Sequence, residues 1–247
     1  MSRLFNRLKR GGRGVIVAAL ALPVLAGAAV GAPAASASTQ CQWQPLSLQD
    51  GWQSEQSAWN SGDPAYCIDN GFVYLSGSLA QPSNGSGYFA GLPQQAWPAS
   101  NLYLSVYTFA GTTGAVTIDS NGAMYAYGGK ATQFTSLAGI SFPMATLETG
   151  QKITPLQDGW QSADSQWGTG DPSYYVSNGV VHLSGSVYNP VNHDWYFAGQ
   201  LPQAAWPAYS QVINTYTYGG APGQLLVDKG YSGSPPTPAN EVKLPSL

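Results

Sequence analysis

Beyond residue 40, apolar and polar residues alternate with a period near two, and no window of a dozen residues carries apolar positions at helical spacing. Along 101–109, Leu102, Leu104 and Val106 alternate with Tyr103, Ser105 and Tyr107, the pattern of a strand with one buried face. The runs AYCID and FVYLSGSL flank Asn70 and Gly71, and SYYVS and VVHLSGSV flank Asn178 and Gly179. Asn-Gly accepts the positive φ angles of a type I′ turn, so each pair of runs predicts a β-hairpin. A further hairpin is predicted around Asn121 and Gly122, and closing strands in SLAGISF (136–142) and EVKLPSL (241–247). Six or seven short strands per hundred residues, punctuated by Gly and Pro, predict an all-β architecture.

The strand pattern is written twice. The heptapeptide LQDGWQS stands at 48–54 and at 156–162, and 20 of 32 positions agree between 48–79 and 156–187. Agreement resumes at YFAG (88–91 and 196–199), LPQ (92–94 and 201–203) and AWPA (96–99 and 205–208), with Gln200 as a one-residue insertion between YFAG and LPQ in the second copy. Tyr107 then matches Tyr216, and Val116 matches Leu225. A period near 108 is too long for a solenoid repeat and is the size of a small domain. The expected organisation is a lead segment (38–47), a first antiparallel β-sandwich of jelly-roll or Greek-key type (48–146), a linker (147–155) and a second sandwich (156–247).

Residues 1–37 follow another rule. Arg3, Arg7, Lys9, Arg10 and Arg13 precede a greasy run and an Ala-Ser-Ala site at 35–37, the order of a secretory signal peptide; an uncleaved membrane anchor is the alternative, weakened by Pro23, Gly27 and Gly31. Its removal takes five of nine basic residues and none of the twelve acids, leaving 4 − 12 = −8 and no arginine. Such a chain suits neither nucleic acid nor an anionic membrane surface, because phosphate recognition draws on cationic forks. All eight tryptophans and fifteen tyrosines remain, so binding would run through rings and amides. Cys41 and Cys67 are an even pair in an exported chain and read as one disulfide, against two free thiols.

The order LQDGW, a tyrosine, NGxVxLxG, LP followed shortly by Pro, and a closing LAGISF resembles a β-sandwich module found near the tips of phage tail fibres and in secreted actinobacterial proteins. The resemblance spans roughly 46–145 and 154–247. It implies an antiparallel Greek-key head domain concerned with surface or glycan recognition, and no catalytic set. The usual aromatic-Arg-Pro after LP is Trp97-Pro98 and Trp206-Pro207 here, and the second copy lacks GISF, which implies a thinner edge there.

Catalytic chemistry is thinly represented. His182 and His193 are not shared between the copies, no nucleophile elbow is present, and zinc or calcium spacing is absent, so no cofactor or metal is expected. Asp50/Asp158, Asp63/Asp171 and Asp119/Asp228 recur, either as turn residues or, for a glycosidase, as half of an acid pair. Trp52/Trp160 and Trp97/Trp206 read as core. Trp59 and Trp167 lie in polar settings beside Asp63 and Asp171, where a ring could stack on a pyranose while the acid bonds hydroxyls. After LSGS the first copy is bland, whereas the second gathers Tyr188, Asn189, Asn192, His193, Asp194 and Trp195 in one loop. The expected function is a secreted, non-enzymatic protein that binds neutral glycan or a cell-surface polymer through these residues. A structural or inhibitory secreted protein, and a carboxylate-based glycoside hydrolase, are the alternatives; oligomeric state is not readable.

Overall fold

The computed structural model describes residues 41–247 apart from 83–84, 148–149, 178, 191–200, 221, 230–241 and 244–247. The signal region 1–37 and the loop residues Asn192, His193, Asp194 and Trp195 therefore lie outside the described residues.

The repeated heptapeptide is a tight turn followed by a strand. Asp50 and Gly51 take positive φ (50° and 79°), as do Asp158 and Gly159 (53° and 80°). The turn closes with Trp52 N–H on Gln49 O at 2.9 Å and Trp160 N–H on Gln157 O at 3.0 Å. Asp tolerates the left-handed region and Gly adopts it freely, which accounts for this spelling in both copies. The turn drives Trp52 into the core, where its Nε1–H donates to Ser86 O at 3.1 Å and its ring meets Phe89 edge-on.

In the first repeat the strands are β1 (Gln44–Pro45), β2 (Gln53–Ser54), β3 (Ala65–Asp69), β4 (Phe72–Ser76), β5 (Ser78–Ala80), β6 (Tyr88–Gly91), β7 (Leu102–Thr108), β8 (Thr112–Ile118), β9 (Ala123–Tyr127), β10 (Thr135–Ser136) and β11 (Ser141–Pro143). They form two antiparallel sheets, β1-β3-β4-β11 and β2-β5-β10-β7-β8-β9-β6. Between them lies one apolar core that includes Trp52, Val73, Leu79, Phe89, Val116, Ile118, Met124 and Leu137. The β3–β4 hairpin turns at Asn70 and Gly71 with φ of 48° and 82°, as the dipeptide predicts.

In the second repeat β12 (Gln151–Lys152), β13 (Gln161–Ser162), β14 (Ser173–Ser177), β15 (Val180–Ser184), β16 (Val187–Tyr188), β17 (Gln211–Tyr216), β18 (Pro222–Val227) and β19 (Val242–Lys243) form the sheets β12-β14-β15, β13-β16 and β17-β18-β19. A separate apolar cluster of Ile153, Tyr174, Leu201, Ala205 and Val227 holds them. The chain is thus all-β, built of antiparallel sheets.

Several particulars depart from the sequence reading. One-turn helices α1 (Gln56–Trp59) and α2 (Asp164–Trp167) interrupt what reads as strand and turn, each ended by a left-handed residue, Asn60 or Gly168. β12 lies inside the stretch expected as linker. It pairs with Tyr174 and Ser173 of β14 as β1 pairs with Tyr66 and Ala65 of β3, and Tyr174 and Tyr66 each bond the glutamine opposite, Gln151 and Gln44. The last strand also differs. β19 pairs with β18 (Leu226 with Lys243), the place that β9 holds beside β8, rather than closing on β15 as β11 closes on β4. An open ladder edge needs partners for its N–H and C=O groups, and this short β-prone segment supplies them. Trp206 is not core: it is 39 % exposed, whereas Trp97 is half-buried over Gly122. Both indoles nevertheless donate to the carbonyl five residues back, Leu92 O at 2.8 Å and Leu201 O at 2.7 Å, which explains the repeated LP…WP spacing.

Candidate ligand-binding surface

In the first repeat Trp59 ends α1 with 53 % of its surface exposed. Its ring stands edge-on to Phe109 at 6.0 Å and to Phe134 at 5.8 Å, and Tyr107 meets Phe134 edge-on at 5.9 Å. Lys130 Nζ lies 5.6 Å from the Phe109 ring centre. Edge-to-face contacts fix each ring's tilt, and with Lys130 over Phe109 the group is a small aromatic cluster from which Trp59 and Tyr107 protrude, 53 % and 55 % exposed. In the second repeat Trp167 is 41 % exposed and tilts against Tyr218 at 5.2 Å. Tyr218 holds the place of Phe109, the last letter of the paired triplets YTF and YTY.

The acids named from sequence brace loops. Asp63 Oδ1 accepts from Ser54 Oγ at 2.6 Å, while Ser54 Oγ also receives Gln56 N–H at 3.2 Å. Asp171 binds Lys152 and the hydroxyl of Ser162. The Lys152 ammonium, then Ser162, hold the Asp171 carboxyl below its ordinary value, and Asp171 in turn raises Lys152. This pair is solvent-exposed and contributes little to stability. Asp50 O receives Gln81 Nε2 at 2.8 Å, and Asp158 O receives Asn189 Nδ2 at 3.1 Å, so Asn189 repeats the bracing role of Gln81. Tyr188 donates to Gln161 Oε1 at 2.8 Å across β13 and β16. Among the described residues no group of three or more His, Cys, Asp or Glu is placed to hold a metal ion.

Of the candidates, Trp59 and Trp167 are therefore displayed. Asp63, Asp171 and Tyr188 are engaged with their own scaffold. Phe109, Phe134 and Lys130 do not stand out in the sequence; the YTF/YTY match points to Phe109, and nothing in the second copy marks Phe134 or Lys130. His182 is half-buried, and burial lowers its pKa.

No family model matches the chain, and no curated protein matches it. A solved structure, the receptor binding protein (gp15) of Listeria phage PSA, is similar at 20 % identity with a TM-score of 0.35, over 42 % of this chain and 66 % of that one. Cys41 and Cys67 are bonded, with Cα atoms 5.8 Å apart. No helix among the described residues is long and apolar enough to cross a membrane.

Proposed function

We propose that the chain is an exported, non-enzymatic binding protein whose displayed tryptophans recognise a neutral glycan or another cell-surface polymer. The observation that carries this reading is Trp59, 53 % exposed while its tilt is fixed by T-shaped contacts with Phe109 and Phe134, with Trp167 displayed at the matching place in the other copy. A sugar ring presents an apolar face of C–H groups to an indole, and the surrounding hydroxyls and amides bond its rim. The disulfide suits an oxidising compartment, and the basic-then-apolar leader supports export. Two linked weak sites gain avidity on a repetitive polymer when both engage together.

Tryptophan fluorescence during titration with a panel of cell-wall and plant polysaccharides tests the reading. A saturable shift is expected with at least one neutral polymer. Trp59→Ala should weaken that binding about tenfold or more, the cost of truncating a central aromatic anchor. A panel that moves neither the emission nor a calorimetric signal would overturn the proposal.

A further inference from the structure

The two repeats meet through unlike faces within one compact unit. The first repeat offers the outer face of its β7-β8-β9 sheet together with Phe72. The second offers the turn after α2 together with the end of β17 and His182. Asn101 N–H donates to Gly168 O at 2.8 Å, and Asn101 Nδ2 to Trp167 O at 3.2 Å. The Tyr103 and Tyr216 rings lie 5.5 Å apart, the Phe72 and His182 rings 4.2 Å apart, and the Tyr216 hydroxyl bonds that of Tyr127. A Cβ on Gly170 would stand 2.8 Å from Ser100 Oγ. The contact is heterologous, since one repeat's sheet face receives the other's turn face.

Two repeats joined in this way leave one face of each kind unmatched. By the repeat alignment, the first repeat's turn face carries Asn60, Gly62, Tyr74 and Tyr107 where the second has Gly168, Gly170, His182 and Tyr216. The second repeat's sheet face carries Val180, Tyr209, Ser210 and Val212 where the first has Phe72, Ser100, Asn101 and Tyr103. The frame is preserved: Ser210 Oγ receives Lys229 N–H at 3.3 Å, as Asn101 Oδ1 receives Ser120 N–H at 2.9 Å. Both unmatched faces display large apolar side chains, with Tyr107 55 %, Val180 54 %, Tyr209 74 % and Val212 63 % exposed.

The substitutions between the faces are also reciprocal in size. Within the filled seam a long Asn101 reaches a bare Gly168; at the free faces a long Asn60 would meet a short Ser210. Phe72 opposes His182 in the seam, and the smaller Val180 would oppose the larger Tyr74. Tyr209 would lie over Gly62, where a Cβ would find only the Gly77 Cα within 4 Å.

We propose that the turn face of the first repeat docks on the sheet face of the second repeat of another copy of this chain, continuing the internal seam head to tail. The association does not depend on the glycan reading. It covers Tyr107 but leaves the tryptophan of that reading accessible, because at the filled seam Asn101 bonds the carbonyl of Trp167 and the residue stays 41 % exposed. Successive copies would line up their tryptophans.

Sedimentation of the exported chain without polysaccharide tests this from about 10 µM to 1 mM, the regime in which contacts that work intramolecularly at millimolar effective concentration associate between molecules. The weight-average mass should rise with concentration. Val212→Lys blocks the sheet face and Tyr107→Lys the turn face, so each alone should stay monomeric. Mixed in equal amounts, they should form a dimer and nothing larger, since each retains the face the other lacks. Tyr209→Lys and Asn60→Lys serve as the second variant on each face if either first variant melts below the parent. A parent chain that stays monomeric throughout, or a mixture that does not dimerise, overturns the proposal.

Discussion

Gly77 has a φ of 88°, and a Cβ there would stand 2.3 Å from Asp63 O and 2.4 Å from Asp63 C. Gly185 repeats this against Asp171 O at 2.4 Å with a φ of 91°. The GDP turn thus rests on the glycine of LSGS in both copies, which is why the two motifs travel together. Backbone cannot retreat as a flexible side chain can, so Gly77→Ala combines left-handed strain with a clash and should cost about 3–5 kcal/mol. Gly139→Ala separates the two effects, because its φ is 86° but nothing lies within 4 Å of the added carbon. It should cost only about 1–2 kcal/mol, the left-handed penalty alone. Chemical denaturation of both variants checks the difference; equal losses would mean that the approach to Asp63 contributes nothing. The turn chemistry of Asp63 was legible from Asp-Pro and its neighbouring glycine. Its partnership with a residue 14 positions away was not, since only the folded backbone brings them together.

The packing of β17 against β7 across the seam gathers Tyr103, Tyr127 and Tyr216. Burial, then Asp119 and Tyr216, raises Tyr103 above its ordinary 10.0. Burial, then the hydrogen bond with Tyr216, raises Tyr127 further still. The folded chain therefore holds these protons more tightly than the unfolded chain. Their contribution to stability is complete below pH 10.0 and is lost as pH climbs through the raised values. Ultraviolet titration should find two tyrosines ionising later than the rest, and Tyr216→Phe should bring Tyr127 back toward the others; unchanged late ionisation in that variant would break the assigned hydrogen bond. Hairpins and the alternation of β7 were readable because a two-residue period and Asn-Gly are local signals. α1 and α2 were not, because four residues are too few to display a helical period. β1 and β12 escaped for a similar reason: Gln-Pro and Gln-Lys carry no strand propensity, and only pairing with β3 and β14 makes them strands. The displayed rings of Trp59 and Trp167 were suggested by polar surroundings, but the Phe109 and Phe134 rings that hold Trp59 come from distant segments.

For the molecule as a whole, the two apolar clusters share no residue, and the described contacts between repeats are a few rings and hydrogen bonds. The disulfide falls entirely within the first repeat, joining Cys41 to the buried Cys67 on β3 across 26 positions. A cross-link constrains only the unfolded ensemble of the loop it closes, so Cys41→Ser should remove about 3–4 kcal/mol from the first repeat alone. The second repeat must keep its stability if its own cluster suffices. Calorimetry of the parent and of Cys41→Ser should then give two transitions, of which the variant lowers one. Which one can be assigned independently: Leu79→Ala, deep in the first cluster, should shift the same transition, and Leu201→Ala in the second cluster the other. A single transition displaced by all three substitutions would mean that the seam, for all its few contacts, couples the copies into one cooperative body.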